Sequence, residues 1–366
     1  MRKRLIAVLV LPALVVAGCG KTSTPSSETV SQPTDDIQQN IGTDDSASEN
    51  MTAKCRGGTP VKGTDVHIVT SLAPLTAIVG ELVAGSGISV TGIIPESQNS
   101  HEFAPTSADA KVLKTADIVM LNGLGLDDAI NAMATENAKS GTLVCEAGTA
   151  MLPKSEWAYD GVFKESAGKP NPHVWLNPAH MLRLITLIRD SITTVVPDSI
   201  PVVDDNYVKL TMQINTLDQA MEKDLESVPV RNRTLVTYHP SFAYFARKYK
   251  FEVADIIQTE MIADPMATQM DALVQDITSR EVTTIFASVE FPSMALPEIA
   301  KAVGADYSLA LRDDDLPGKP GDADHSWAGL MRHDMSTIVK GLGGTPSTID
   351  AVDVKWPGND SAVYPQ

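Results

Sequence analysis

From Pro201 to about Val228 the chain places Tyr207, Leu210, Ile214, Leu217, Met221 and Leu225 at helical spacing, and no glycine or proline follows Pro201 to interrupt the pattern. At about 1.5 Å per residue such a helix runs some 40 Å. A rod of that length, with strand and helix patterns repeating on both sides of it, acts as a strut between two α/β halves. It limits the chain to architectures in which two lobes share one long linking helix.

The patterns on either side agree. Val66 to Thr70 reads as a strand, Pro74 to Val83 as a helix with proline near its start, and Ile88 to Ile94 as a second strand, so the first pair is parallel. Ser107 to Lys114 is helical, Ile118 to Asn122 and Thr142 to Cys145 are strands, and Pro178 seats a helix running to Thr194 with Asn177 as its N-cap. Beyond the strut, Thr234 to Tyr238, Val253 to Ile257, Thr284 to Ser288 and Tyr307 to Leu311 are strands. They alternate with helices opening at Ser241, over Ala267 to Ser279 and Met294 to Val303, and finally over Trp327 to Gly341. The segment from Pro153 to Pro172 and the tail after Gly344 carry no period. Gly123-Leu124-Gly125-Leu126 is a turn into a helix. It lacks the GK[ST] or GxGxxG context of a phosphate loop.

The start of the chain is an address. Arg2, Lys3 and Arg4 precede an apolar run from Leu5 to Val16, too short for a membrane span of about 20 residues. The run closes on Val16-Ala17-Gly18-Cys19, a lipobox in which Cys19 receives the lipid. From Gly20 to about Lys54, Ser, Thr, Asp, Gln and Asn leave almost nothing to bury, so this stretch is expected to be a disordered tether. The expected organisation is a signal peptide over 1–18, lipidated Cys and tether over 19–62, a first lobe over 63–200, the linking helix over 201–228, a second lobe over 229–344 and a tail over 345–366. The formal charge of −17 becomes three units more negative once the leader is removed, which excludes nucleic acid as a partner and suits cations. Cys55 and Cys145 remain as an even pair in an oxidising compartment, and a disulfide between them is expected.

His101, His173 and His239 hold equivalent places, each at a sheet edge against a proline-bearing turn, where open α/β sheets bind ligands. Their spacing is no local zinc signature, so the pattern leaves a shared metal site and three unrelated imidazoles both open. His67, His180, His325 and His333 read as surface or capping residues. Asp313, Asp314 and Asp315 follow the last strand and are either a solvated loop or the source of a fourth ligand. Glu290 could compete, but reads better as a helix N-terminal or inter-lobe partner.

Several segments in order then resemble the zinc and manganese (cluster A-I) solute-binding lipoproteins of bacterial ABC importers. They are Thr70-Ser71-Leu72-Ala73-Pro74-Leu75, the His101 loop, Ala116 to Val119 through Asn122 to Leu126, Pro172-His173-Val174-Trp175-Leu176, His239-Pro240-Ser241-Phe242-Ala243-Tyr244-Phe245, and Ile338 to Leu342. The resemblance covers roughly residues 65 to 343. It implies two lobes, each a small parallel sheet flanked by helices, joined by one long helix, with one metal ion in the cleft held by His101, His173, His239 and an Asp of the acidic loop. Asp314 fits the Asp-x-aliphatic ending best, with Asp313 and Asp315 as neighbours in the alignment. The chain departs from the family at Asn171 and Asn177, where Asp is common, near Ala104, where an acidic residue is common, and in the absence of His from Met151 to Pro170.

Three imidazoles and one carboxylate suit Zn²⁺, whereas manganese members of the family present Glu at the position of His239. The expectation is therefore a lipid-tethered, monomeric receptor that carries Zn²⁺, with Mn²⁺ as the lesser alternative, to a membrane permease. Two other classes remain. A zinc hydrolase would use an open fourth position with Glu290 or Glu102 as base, and an adhesin is permitted by the tether.

Overall fold

The computed structural model describes residues 54–254, 267–356 and 362–365. The leader, Cys19, most of the tether and the greater part of the strand expected over Val253 to Ile257 lie outside the described residues. In the first half, β1 (Cys55–Arg56), β2 (His67–Thr70), β3 (Ser89–Gly92), β4 (Ile118–Leu121) and β5 (Leu143–Glu146) are interleaved with helices α1 (Ala73–Val83), α2 (Ser107–Leu113), α3 (Asp128–Asn137), α4 (Ala147–Met151) and α5 (Pro178–Val195). Strands β5, β4, β2 and β3 lie side by side and parallel, while β1 adds an antiparallel edge to β5. All four residues of β4 and of β5 are buried, and the continuous apolar run of β4 is what a strand covered on both faces should show. Cys55 and Cys145 face each other in the register of β1 and β5 and are disulfide-bonded, as expected.

The strut is α6 (Ile200–Leu225), 26 residues with Val203, Leu210, Ile214, Leu217, Met221 and Leu225 buried along one stripe. It packs on α1 and α5, and on the later helices α10 (Trp327–Gly341) and α11 (Ser347–Asp350). Two buried polar residues tie it to the first half and to the C-terminal tail. Asn206 Nδ2 donates to the carbonyls of Leu82 and Ala84 at 3.1 and 2.9 Å, and the Asp224 carboxylate accepts the amides of Thr348 and Ile349, both at 2.8 Å.

The second sheet runs β7 (Glu252–Val253), β6 (Thr234–Thr237), β8 (Thr284–Ser288), β9 (Asp306–Leu311), all parallel, with α7 (Ala243–Tyr249), α8 (Ala267–Ser279) and α9 (Leu296–Val303) between strands. Alternation along β8 splits the interior. Ile285 and Ala287 join a smaller core with Val236, Leu296 and Ile299, while Phe286 points into the main core that also holds Leu311 and Trp327.

The tail, which carries no period in the sequence, nevertheless packs: β10 (Ala362–Val363) pairs in parallel with β3 at Val90 and Thr91, and Trp356 and Tyr364 are buried. A two-residue strand is too short to show a period, and it forms because the edge of β3 offers unpaired backbone groups. The turn at Gly123 needs glycine, since φ is +77° and a Cβ would stand 2.2 Å from Thr149 Oγ1. Its amides serve the fold: Asn122 and Gly123 donate to the Asp127 carboxylate at 2.7 and 2.8 Å.

Candidate metal centre

His101 sits in a short 3-10 turn, Ser100–Glu102, on the loop leaving β3, and Asn99 Oδ1 accepts its amide at 3.0 Å. His173 precedes the turn Val174–Leu176, which leads into α5, and Asn177 caps that helix by accepting the amide of Ala179 at 2.9 Å. His239 leaves the carboxyl end of β6, with its carbonyl accepting from Thr237 Oγ1 and the amide of Ser241, both at 2.9 Å. These loops bring the three rings together. Their Nε2 atoms form a triangle with sides of 3.2, 3.2 and 3.0 Å. No other group of three or more His, Cys, Asp or Glu side chains among the described residues converges in this way.

Three imidazole nitrogens that close repel unless a proton or a cation lies between them. A tetrahedral ion at about 2.05 Å from each nitrogen would stand roughly 1 Å off the plane of such a triangle. His173 and His239 are buried. Burial, followed by the neighbouring His239, holds His101 well below the usual imidazole range, and burial, followed by His239 and His101, does the same to His173. The rings of His101 and His173 are therefore neutral at pH 7, as metal binding requires.

The acidic loop after β9 delivers three buried carboxylates with three different duties. Asp314 Oδ2 accepts from Ser100 Oγ, while its Oδ1 is buried without a hydrogen-bond partner and lies 3.8 Å from His173 Nε2. Asp313 Oδ2 accepts from Ser288 Oγ, and its carbonyl accepts Trp175 Nε1 at 2.8 Å. Asp315 Oδ2 accepts the amide of Ser97 at 2.7 Å. Of the three, Asp314 directs an orphaned oxygen at the imidazoles, and such an atom calls for a cation. Burial pushes the Asp314 carboxyl up to about 8, against the Ser100 hydrogen bond.

Other expectations are corrected here. His180 and His325 are buried, not superficial: His180 stacks edge-on to Tyr244, and His325 pairs with Glu96 at 2.8 Å beneath Tyr364. Glu290 is neither at a helix start nor between lobes. It stays in the second half, accepting the amide of Asp313 at 3.4 Å and lying 3.8 Å from Arg312, and burial with the Asp313 charge drives its carboxyl far upward. Asn177 spends its side chain on the helix cap and on the carbonyl of Tyr244 at 3.2 Å, so it does not orient His173. Asn171 does, with Oδ1 accepting His173 Nδ1 at 2.7 Å.

Two aromatic walls escaped the sequence reading. Phe291 stacks on His239 with centroids 4.4 Å apart, and Phe163 covers His101 and His173 at 5.6 and 5.8 Å. Phe163 lies in a segment without periodicity, and nothing local marks it.

Comparison with known proteins points the same way. A family model described as zinc-uptake complex component A, periplasmic (ZnuA), matches residues 68–341. The manganese-binding lipoprotein MntA of Halalkalibacterium halodurans is 23% identical over 285 residues, covering 78% of this chain and 91% of that protein. The zinc-binding protein TroA of Treponema pallidum is 23% identical over 279 residues, covering 75% of this chain and 88% of that protein. The solved structure of the periplasmic zinc-binding protein TroA from Treponema pallidum superposes with a TM-score of 0.67 at 23% identity, over 76% of this chain and 99% of that one. At that identity the superposition speaks for the fold.

Proposed function

Because the chain belongs to the zinc-uptake complex component A family of metal-binding, ABC-importer solute-binding proteins, we propose that it is a lipid-anchored extracytoplasmic receptor that captures Zn²⁺ and delivers it to a membrane permease. The ligands are His101, His173, His239 and Asp314. The observation that carries this reading is the triangle of imidazole nitrogens, 3.0 to 3.2 Å on a side, with the orphaned Asp314 Oδ1 beside it. Three borderline-soft nitrogens and one carboxylate favour zinc over the harder, oxygen-preferring manganese ion. The relatives themselves are named for manganese and for zinc, so the choice of zinc in this reading rests on the donor set of this chain. A fourth protein ligand leaves no position for an activated water. The hydrolase alternative has no support among the relatives, which are named as metal-binding proteins.

Competitive titration of metal-free protein with Zn²⁺ against Mn²⁺, followed by elemental analysis, tests the reading. One Zn²⁺ per chain is expected, with affinity lost by orders of magnitude in His101→Ala, His173→Ala or His239→Ala. Preferential retention of Mn²⁺, or full zinc affinity in His239→Ala, overturns it.

A further inference from the structure

His173 is oriented by an amide, and an amide has two ends. Asn171 Oδ1 accepts both the backbone amide and Nδ1 of His173, at 3.0 and 2.7 Å. For that to hold, the Nδ2 end must face acceptors, and it faces two: Asp160 Oδ2 at 2.8 Å and the carbonyl of Pro240 at 2.5 Å. Turning the amide over would set its carbonyl against a carboxylate and a second carbonyl, and its NH₂ against the His173 amide. With the amide so locked, Nδ1 carries the imidazole proton and Nε2 is left bare toward the other two rings.

The same carboxylate has a second task. Asp160 Oδ1 accepts the amides of Val162 and Phe163 at 2.9 and 2.8 Å, and the Asp160 amide donates to the Phe163 carbonyl at 2.9 Å. These bonds close the turn that sets Phe163 over His101 and His173. We propose that Asp160 is a positioning residue for metal capture: one oxygen locks Asn171, and through it the His173 tautomer, while the other folds the turn that shields the imidazoles with Phe163. A carboxylate beyond the amide also polarises it, making Oδ1 a better acceptor and Nε2 a better donor to a metal.

This inference rests on the zinc-receptor reading and is separable from it. The backbone around Asp160 is pinned independently, since the Ala158 amide donates to Tyr244 Oη at 3.2 Å, the Asn171 amide donates to the Ala158 carbonyl at 2.8 Å, and Tyr244 Oη donates to the Asn171 carbonyl at 2.9 Å. Asp160→Asn should therefore fold. The experiment compares D160N, N171D and the double variant by zinc affinity, zinc dissociation rate, and ¹⁵N NMR of His173 in the metal-free protein. D160N is expected to weaken zinc binding by about 10-fold or more, the range for groups that orient a ligand, to release zinc faster, and to mix the His173 tautomers. The double variant, which keeps the wild-type net charge but moves the carboxylate onto Nδ1 directly, is expected to recover affinity relative to D160N.

Wild-type affinity in D160N, losses that simply add in the double variant, or a wild-type His173 protonated at Nε2 would each overturn the role of Asp160. H173A separates the two readings. Undiminished zinc affinity there overturns the receptor assignment itself, whereas a loss in H173A without one in D160N overturns the role of Asp160 alone.

Discussion

Burial pulls the titratable groups of the centre in opposite directions. It drives His101 and His173 toward neutrality and Asp314 toward its protonated form, at about 8. A cation reverses only the second effect, so at pH 7 zinc binding should release about one proton, from Asp314. Calorimetry in buffers of different ionisation enthalpy measures that release, and Asp314→Asn should abolish it. The same shifts set the stability of the metal-free protein. A carboxyl with a raised folded-state pKa binds more protons folded than unfolded, so its contribution falls as pH rises from about 4 to about 8. Histidines with a depressed folded-state pKa act oppositely, with stability rising with pH only up to about 6.5. Between pH 6.5 and 8 the histidine contribution is flat, while Asp314 and the other buried carboxyls raised by burial, Asp313, Glu290 and Asp334, all act in the same direction, so the melting temperature of the metal-free protein should fall across that window. With zinc bound the Asp314 part of that decline should be lost and the slope should become shallower, which a pair of pH-dependent melting series checks.

Among the elements, the antiparallel β1 is held to β5 by the Cys55–Cys145 disulfide, closing a loop across a sequence separation of 90. Its loss in Cys145→Ala should destabilise the protein by about 2 to 5 kcal/mol, read by denaturant unfolding at matched metal content. The strut is a different kind of fastening. Leu217 is fully buried in its stripe, and Leu217→Ala should cost about 2 to 5 kcal/mol through lost transfer energy and a residual cavity. Zinc affinity should change far less, because the strut packs chiefly on the helices α1, α5, α10 and α11. Chemical denaturation and zinc titration of the same variant separate the two effects.

Across the molecule, the two halves are stitched by more than the strut. Trp327 Nε1 donates to the Trp175 carbonyl at 2.9 Å, and Trp175 Nε1 donates in turn to that of Asp313, so the His173 turn and the acidic loop share one buried hydrogen-bond chain. Ser97 and Glu96, on the loop that also carries His101, reach Asp315 and His325. The tail then lays β10 along β3. Ending the chain after residue 355 should therefore lower the melting temperature and speed hydrogen exchange along the β3 edge at Val90 and Thr91, while leaving the proposed ligands in place. Hydrogen exchange with mass spectrometry reads both.

Much of this architecture was legible before any coordinates. The period of 3.6 along Leu210, Ile214, Leu217 and Met221 announced the strut, because burial imposes its spacing on the residues that must be buried, and the order strand, helix, strand announced parallel pairing. His101 and His239 could be placed after strands in the same reading, and family resemblance grouped them with His173 and Asp314. What the chain alone did not reveal depends on partners distant in sequence. Asn171 finds Asp160 and Pro240, Ser100 finds Asp314, Phe291 finds His239, and Ala362–Val363 finds the open edge of β3. A hydrogen bond or a ring contact between loops leaves no periodic trace, since it constrains one residue and not a repeating face. Local patterning therefore specified the scaffold, and folding specified which loop side chains meet over the candidate metal centre.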